Sequence, residues 1–438
     1  MSKNLKQRWE IIQRAGGPEA YIKKELKKKG VYRSYRPNIM DIKDSSERSD
    51  AIAAARREEE ERSILRAFVW EARLANNIHF LGVDIFWKDF IKNDHFDPFA
   101  RSSRLKDTGL PVLESVEQFL VFIQQVVPEI DIPMLRKLCM HQEVSKHCNY
   151  RQFHIPKKMG EVRTIWAPLP RLKAIQKLIQ TQIVEKMTIH GAAHGFVPGK
   201  SIYTNAQEHT NSYVVVGVDL KNFFPTFTYP RIKGIFRSYG YPQGIATLLA
   251  LLCTESPRRI MKVHDEIYYV AAGPRVLPQG SPASPMLTNV ACLRLDRRLS
   301  GYAQRHGWRY TRYADDLTFS SDDTGEKPDI RSLIRMIHHV TSSEGLNVHP
   351  KKTHVMSKVR RQKVTGLIVN GAQEPRVPKE RRRMLRAALS NAKRGILVED
   401  GYTLEQLIGH SAFVYSAHPE LGRGLLDAFA TLLGSSEE

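Results

Sequence analysis

Two adjacent carboxylates, Asp315 and Asp316, lie inside the stretch 309–321, RYTRYADDLTFSS, between two runs rich in β-forming residues. A third, Asp219, closes the run 213–218, YVVVGV, whose β-branched content marks a buried strand. A strand ending in Asp can set its carboxylate beside a hairpin-tip pair carried by the next strand of the same sheet. Three carboxylates so crowded repel one another unless cations lie between them. Two Mg²⁺ ions, roughly 3.5–4 Å apart, would activate a terminal hydroxyl for in-line attack and neutralise charge on a departing pyrophosphate. Asp219, Asp315 and Asp316 are therefore the candidate metal ligands and catalytic residues. An Asp-Asp pair in a turn is by itself commonly no more than solvated, so its surroundings decide.

Those surroundings read as rigid positioning elements. The loop 277–285, LPQGSPASP, is so rich in Gly and Pro that its backbone must hold a fixed shape, suited to close approach to a base pair or ribose, or to serving as a stiff connector. Runs 151–156 and 162–167 flank KKMGE at 157–161, which predicts a hairpin with a basic tip. Apolar residues at helical spacing predict a helix over 172–187. Ser284 and Pro285 read as the cap and first residue of a helix running to about Tyr302. In the segment 378–394, Pro378 reads as a first helical residue. There Leu385, Ala388, Leu389 and Ala392 form one stripe, while Lys379, Arg382, Arg383, Arg386, Lys393 and Arg394 gather on a neighbouring arc. One face of that helix packs and the other is free to meet phosphate.

The whole-chain numbers agree with a polyanionic partner. The 438 residues carry 67 Lys+Arg against 46 Asp+Glu, a net charge of +21, with 42% apolar and 26% charged residues. That composition belongs to a folded globular protein of more than one domain. Nucleic acid is favoured over a membrane surface, because no long basic helix with a Trp/Phe/Leu face stands out. Cys139, Cys148, Cys253 and Cys292 are too few and scattered for a disulfide framework, so a reducing, cytoplasmic setting is expected, with no signal peptide and no membrane span. Residues 1 to about 125 are dominated by charged helical patterns such as 51–66, and the polar stretch 93–104 reads as a linker. Two decoys fail on spacing. Gly199-Lys-Ser lacks the glycine that a phosphate loop needs at His194, and Cys139, His141, His147 and Cys148 lack zinc-knuckle spacing.

Taken in order, VDLKNFFP at 218–225, PQGSP at 278–282 and YADD at 313–316 resemble the consecutive palm motifs of reverse transcriptases. NAQEH at 205–209 and VTG at 364–366 narrow the resemblance to the bacterial retron reverse transcriptases. The resemblance covers about residues 125 to 438. It implies an α+β right-hand polymerase, with fingers and palm over 126–371 and a helical, RNA-binding thumb over 372–438, preceded by an α-helical N-terminal extension over 1–125. Asp219, Asp315 and Asp316 would then bind two Mg²⁺ ions, and Phe224 would be the steric gate against a ribose 2′-OH. Arg163 and Lys157, with Lys158, would grip the dNTP triphosphate, and Gln279 and Gly280 would line the nucleotide pocket. Lys352 would protonate pyrophosphate. Asn205 and His209 are either RNA contacts or local structural residues, and Arg382, Arg383, Arg386 and Lys393 would meet RNA. The implied partners are a cognate structured noncoding RNA, serving as template and primer, and its DNA product. DNA synthesis would start from an internal guanosine 2′-OH to give msDNA, in antiphage defence with a separate effector protein. Another bacterial reverse transcriptase, of group II intron or unbranched defence type, and a noncatalytic RNA-binding scaffold are the competing readings.

Overall fold

Consecutive buried valines, Val214, Val215 and Val216 with Val218, build the central strand of the sheet that carries the carboxylates. The computed structural model describes residues 102–434 apart from 141, 157–161, 264–265, 324, 326, 372 and 395–401, and within the first 101 residues it describes 13–14, 16–17, 20, 44–57 and 60. The strands run β1 Val144–Ser145, β2 Tyr150–Pro156, β3 Val162–Pro168, β4 Val214–Lys221, β5 Arg258–Val263, β6 Glu266–Ala271, β7 Arg309–Tyr313, β8 Asp316–Ser321, β9 Asn347–Ser357, β10 Lys363–Val364 and β11 Leu367–Ile368. The chain divides into two compact units, each assembled from separate stretches: 1–187 with 224–287, and 188–223 with 288–438.

In the first unit, β2 and β3 form the expected antiparallel hairpin from Tyr150↔Pro168 to Pro156↔Val162. The basic tip at 157–161 lies outside the described residues. The helix Pro170–Gln182 follows, continued by a short 3-10 turn at Val184–Lys186. A second sheet has the order β1-β6-β5. The helix Gln243–Cys253 is apolar almost throughout and buried from Gly244 to Cys253, as a helix without a polar face must be. Beside its C-terminus, Glu255 accepts from the Arg258 Nε at 3.1 Å and the Arg275 Nη1 at 3.4 Å, so the buried carboxylate is held by two guanidinium groups.

The second unit is centred on an antiparallel sheet of order β7-β8-β4-β9. The helices Leu293–Arg305 and Ile330–Ser343 pack against it. Three further helices, Lys379–Lys393, Leu404–Tyr415 and Pro419–Gly434, share a core in which Leu385, Leu407, Val414, Leu425 and Phe429 meet Val215 and Leu367. The basic helix is as expected, with Leu385 buried, although Pro378 stands at its cap rather than at its first position.

Three other expectations are corrected. The helix predicted from Ser284 starts at Ala283, breaks at Cys292, where the backbone leaves helical geometry, and resumes over Leu293–Arg305. Asp219 does not close its strand, because β4 continues to Lys221. Ser102–Arg104, at the end of the supposed linker, opens the helix Ser102–Asp107; the rest of that linker, 93–101, lies outside the described residues. The charged N-terminal pattern is helical over 45–57. No helix among the described residues is long and apolar enough to cross a membrane.

Candidate active site

Cross-strand register brings the carboxylates together. Asp219 on β4 lies directly opposite Asp316, the first residue of β8, and antiparallel partners put their side chains on the same face. Asp315 sits in the turn between β7 and β8, and its carbonyl accepts the Leu220 N–H at 2.9 Å. The preceding residue, Ala314, adopts φ +55°, the left-handed conformation that closes so short a turn.

Lys352 reaches the same place through a bulge. On β9 the register with β4 passes from Val218↔Thr353 to Leu220↔Val348, so His349–Lys352 loop out opposite Asp219. Such a bulge re-aims a side chain: the Lys352 Nζ lies 3.1 Å from the Asp219 Oδ2. Among the described residues no three Asp, Glu, His or Cys side chains are already gathered around one point as metal ligands. The Lys352 ammonium supplies the positive charge at Asp219.

The electrostatics nonetheless fit a divalent cation. Asp316 is exposed as a residue, yet the atoms around its carboxyl still desolvate it in part. Its pKa is pushed up to about 6, first by desolvation and then by Asp315 and Asp219, with Lys352 pulling the other way. The two facing carboxylates alone fix that direction. Like charge held at one spot and incompletely relieved by one lysine is what a bound cation would relieve.

A stability prediction follows with a definite sign. A free Asp titrates near 3.9, so folded Asp316 takes up its proton more readily than the unfolded chain does. That stabilising contribution is complete below about pH 4 and is lost as pH rises through about 6. In EDTA, Asp316→Asn is expected to raise the melting temperature at pH 7.5 and to leave it unchanged at pH 4. An equal gain at both pH values would contradict the repulsion.

The remaining expected residues fall into several settings. Phe224 opens the 3-10 turn Phe224–Thr226 and keeps part of its surface, whereas Phe223 and Phe227 are buried core aromatics. Arg163 is exposed on β3, and Lys157 lies outside the described residues, as does Lys158. The loop of Gln279 and Gly280 is held against the hairpin: the Trp166 N–H donates to the Gln279 carbonyl at 2.7 Å. Gly280 has φ +121°, and a Cβ there would stand 2.7 Å from the Trp166 carbonyl oxygen. The Ser281 hydroxyl donates to the Gln176 Oε1 at 2.8 Å, tying the same loop to the helix Pro170–Gln182. The glycine thus serves close approach of backbone to backbone. Arg383, Arg386 and Lys393 are exposed and Arg382 half-buried on the basic helix.

Asn205 and His209 are both fully buried, which favours the local structural role of the two that the sequence leaves open. The His209 ring nitrogens lie 2.8 Å from the Ser320 Oγ and 2.7 Å from the Thr311 Oγ1, bracing β7 and β8 from the carboxylate-bearing face. Burial pushes its pKa down to about 3, so the ring is neutral. The rejected phosphate loop proves to be a helix start: Ser201 caps Ile202–Gln207 in a capping box, and the Lys200 ammonium donates to the Ala193 carbonyl at 3.0 Å.

Sequence reasoning missed Arg312, Asp296 and Asn289, which lie buried behind the 313–316 turn. The one available signal was an arginine at an inward position of a strand, where a cation is tolerated only if paired.

A sheet with paired carboxylates at a hairpin turn and a lysine beside them suits template-directed nucleotidyl transfer. Residues 155–369 match the family described as reverse transcriptase (RNA-dependent DNA polymerase), so the class is the RNA-directed DNA polymerases. The chain is 40% identical to the Retron Mx162 reverse transcriptase of Myxococcus xanthus, over 96% of its own length and 87% of that protein. It is 39% identical to the Retron Mx65 reverse transcriptase of the same organism, covering 74% and 73% of the two chains. To the Retron Ec86 reverse transcriptase of Escherichia coli it is 29% identical, covering 76% and 94%. The chain belongs to the retron reverse transcriptases, and its α+β fold is of the right-hand polymerase type. An alignment over 96% of the chain takes in most of residues 1–125.

Proposed function

We propose that this enzyme copies a cognate structured noncoding RNA into RNA-linked single-stranded DNA by two-Mg²⁺ nucleotidyl transfer. The observation that carries the chemistry is the Asp219↔Asp316 pairing beside Asp315. The similarity to the Myxococcus xanthus protein supports the retron substrate. When bound, the ions would polarise the attacking hydroxyl and the leaving phosphate. Asp219, Asp315 and Asp316 would hold them, with Lys352 giving up its place at Asp219. Lys352 would then be free to donate a proton to the departing pyrophosphate.

The remaining assignments belong to the same proposal. Arg163 and Lys157 bind the triphosphate, where a guanidinium makes bidentate contact. Gln279 and Gly280 shape the pocket wall, and Arg382, Arg383, Arg386 and Lys393 bind RNA phosphates, making affinity fall steeply with salt. Residues 1–125 form the extension, 126–371 the fingers and palm, and 372–438 the thumb. The setting is cytoplasmic antiphage defence with a separate effector protein.

Phe224 is proposed as the steric gate because it alone of Phe223, Phe224 and Phe227 is not buried. Phe224→Ala is expected to raise the kcat/KM for CTP relative to dCTP at least about tenfold. Single-nucleotide extension measures it, and unchanged sugar discrimination would assign Phe224 to packing.

To test the substrate, the enzyme is expressed with the DNA flanking its gene, and extracted nucleic acid is treated with ribonuclease or debranching enzyme. The expected product is a short DNA that shifts in mobility after either treatment and is absent with Asp315→Ala plus Asp316→Ala. DNA made only from an added primer, with no RNA linkage, would support the unbranched reading instead.

A further inference from the structure

Arg312 lies on β7, one residue before the YADD motif begins, and faces away from the carboxylates, because its cross-strand partner is Leu317 while Asp316 pairs with Tyr313. It is fully buried. Its Nε and Nη2 form a fork on Asp296, at 2.8 Å to Oδ1 and 2.7 Å to Oδ2. Its Nη1 spends one hydrogen on the Asn289 Oδ1 at 3.0 Å and the other on the Ala314 carbonyl at 3.2 Å. Asp296 also accepts the Tyr310 hydroxyl at 2.8 Å, and the Asn289 Nδ2 donates to the Gly195 carbonyl at 2.8 Å.

The Ala314 carbonyl belongs to the peptide unit that enters Asp315. The peptide unit that leaves Asp315 is held through its own carbonyl by the Leu220 N–H at 2.9 Å. Two planar units fixed on either side of one Cα fix the direction of its Cα–Cβ bond. Arg312 thus sets one of the two constraints that aim the Asp315 carboxylate. Its backbone holds the rear of the turn as well: the Arg312 N–H donates to the Ala192 carbonyl, and the His194 N–H to the Arg312 carbonyl, each at 2.8 Å. Gly195 packs so closely there that a Cβ would stand 2.7 Å from the Ala314 nitrogen.

We propose that the buried Arg312–Asp296 pair, with Asn289, is a positioning device for the polymerase reaction: it locks the left-handed Ala314 turn so that Asp315 points at the cation site. The pair touches neither substrate nor reacting atoms. Its effect is on the geometry of turnover and not on nucleic-acid binding.

Removing one partner would strand a buried charge, so two designs are used. Arg312→Lys keeps the charge for Asp296 but cannot fork to Asp296, Asn289 and Ala314 together. Arg312→Met with Asp296→Leu removes the charge as a pair. Both are compared with wild type after normalising to the folded fraction from near-ultraviolet circular dichroism. The expected result is a kcat about 10²-fold lower with the KM for dNTP and the Kd for RNA within twofold, since a misplacement of about 1 Å can cost that much. Mn²⁺ affinity without nucleotide, read by electron paramagnetic resonance, is expected to weaken about tenfold on the scale of a misaligned ligand. A folded variant with wild-type kcat and wild-type Mn²⁺ affinity would overturn the proposal. So would a lower kcat accompanied by a raised KM and weakened RNA binding, which marks a merely structural pair.

Discussion

Asp219→Ala is expected to lower RNA-templated DNA synthesis by at least about 10³-fold, the scale of losing a ligand to a catalytic metal. The fold should survive the change. Asp219 lies on β4 between Val218 and Leu220, whose side chains point to the opposite, buried face, so truncation opens no cavity in that core. The ion pair lost with Lys352 joins a half-exposed ammonium to a largely covered carboxylate, and a pair with one solvated partner contributes on the order of 1 kcal/mol. Removing one of the facing carboxylates also relieves Asp316. Primer extension and a thermal melt together give the result: activity gone, melting temperature kept. Loss of both would mean that the aspartate is structural.

Gly280→Ala is expected to be the most damaging single methyl in the first unit. At φ +121° an L-residue is strained whatever the space around it, and here the space is filled by the Trp166 carbonyl oxygen at 2.7 Å and the Ile165 Cγ2 at 2.8 Å. Backbone cannot swing aside as a side-chain tip can. The loop must lift from β3, breaking the bond between the Trp166 N–H and the Gln279 carbonyl. A cost of about 2–4 kcal/mol is expected, with a rise in the KM for dNTP as the proposed pocket wall moves. Gly199→Ala is the control: φ is +74° but nothing lies within 4 Å, so the cost is about 1 kcal/mol. Urea melts of the two variants measure the difference. Equal small losses would show that the loop tolerates a side chain.

The contrast between those glycines shows what local sequence carries. The β2–β3 hairpin, the valine strand and the basic helix were legible because period and turn chemistry are local signals. The convergence of Asp219 with Asp315 and Asp316 was legible because a strand carrying Asp can face a hairpin-tip pair on the neighbouring strand of one sheet. What the pattern did not show depends on contacts between distant segments. The His349–Lys352 bulge that brings Lys352 to Asp219 exists only through pairing with β4. The histidine of the 205–209 segment reads as polar, yet its two hydrogen-bond partners lie on β7 and β8. Arg312 carries a charge that composition counts as surface, and only the fold reveals Asp296 opposite it. The helix break at Cys292 had no Gly or Pro to announce it.

Ferrous ion substituted at the cation site, with ascorbate and peroxide, cuts the polypeptide beside its ligands. Cleavage is predicted at two places remote in sequence, next to residue 219 and next to residues 315–316, and excess Mg²⁺ is predicted to suppress both cuts. An active enzyme cut at neither place would contradict the claim that these three carboxylates share the catalytic cations.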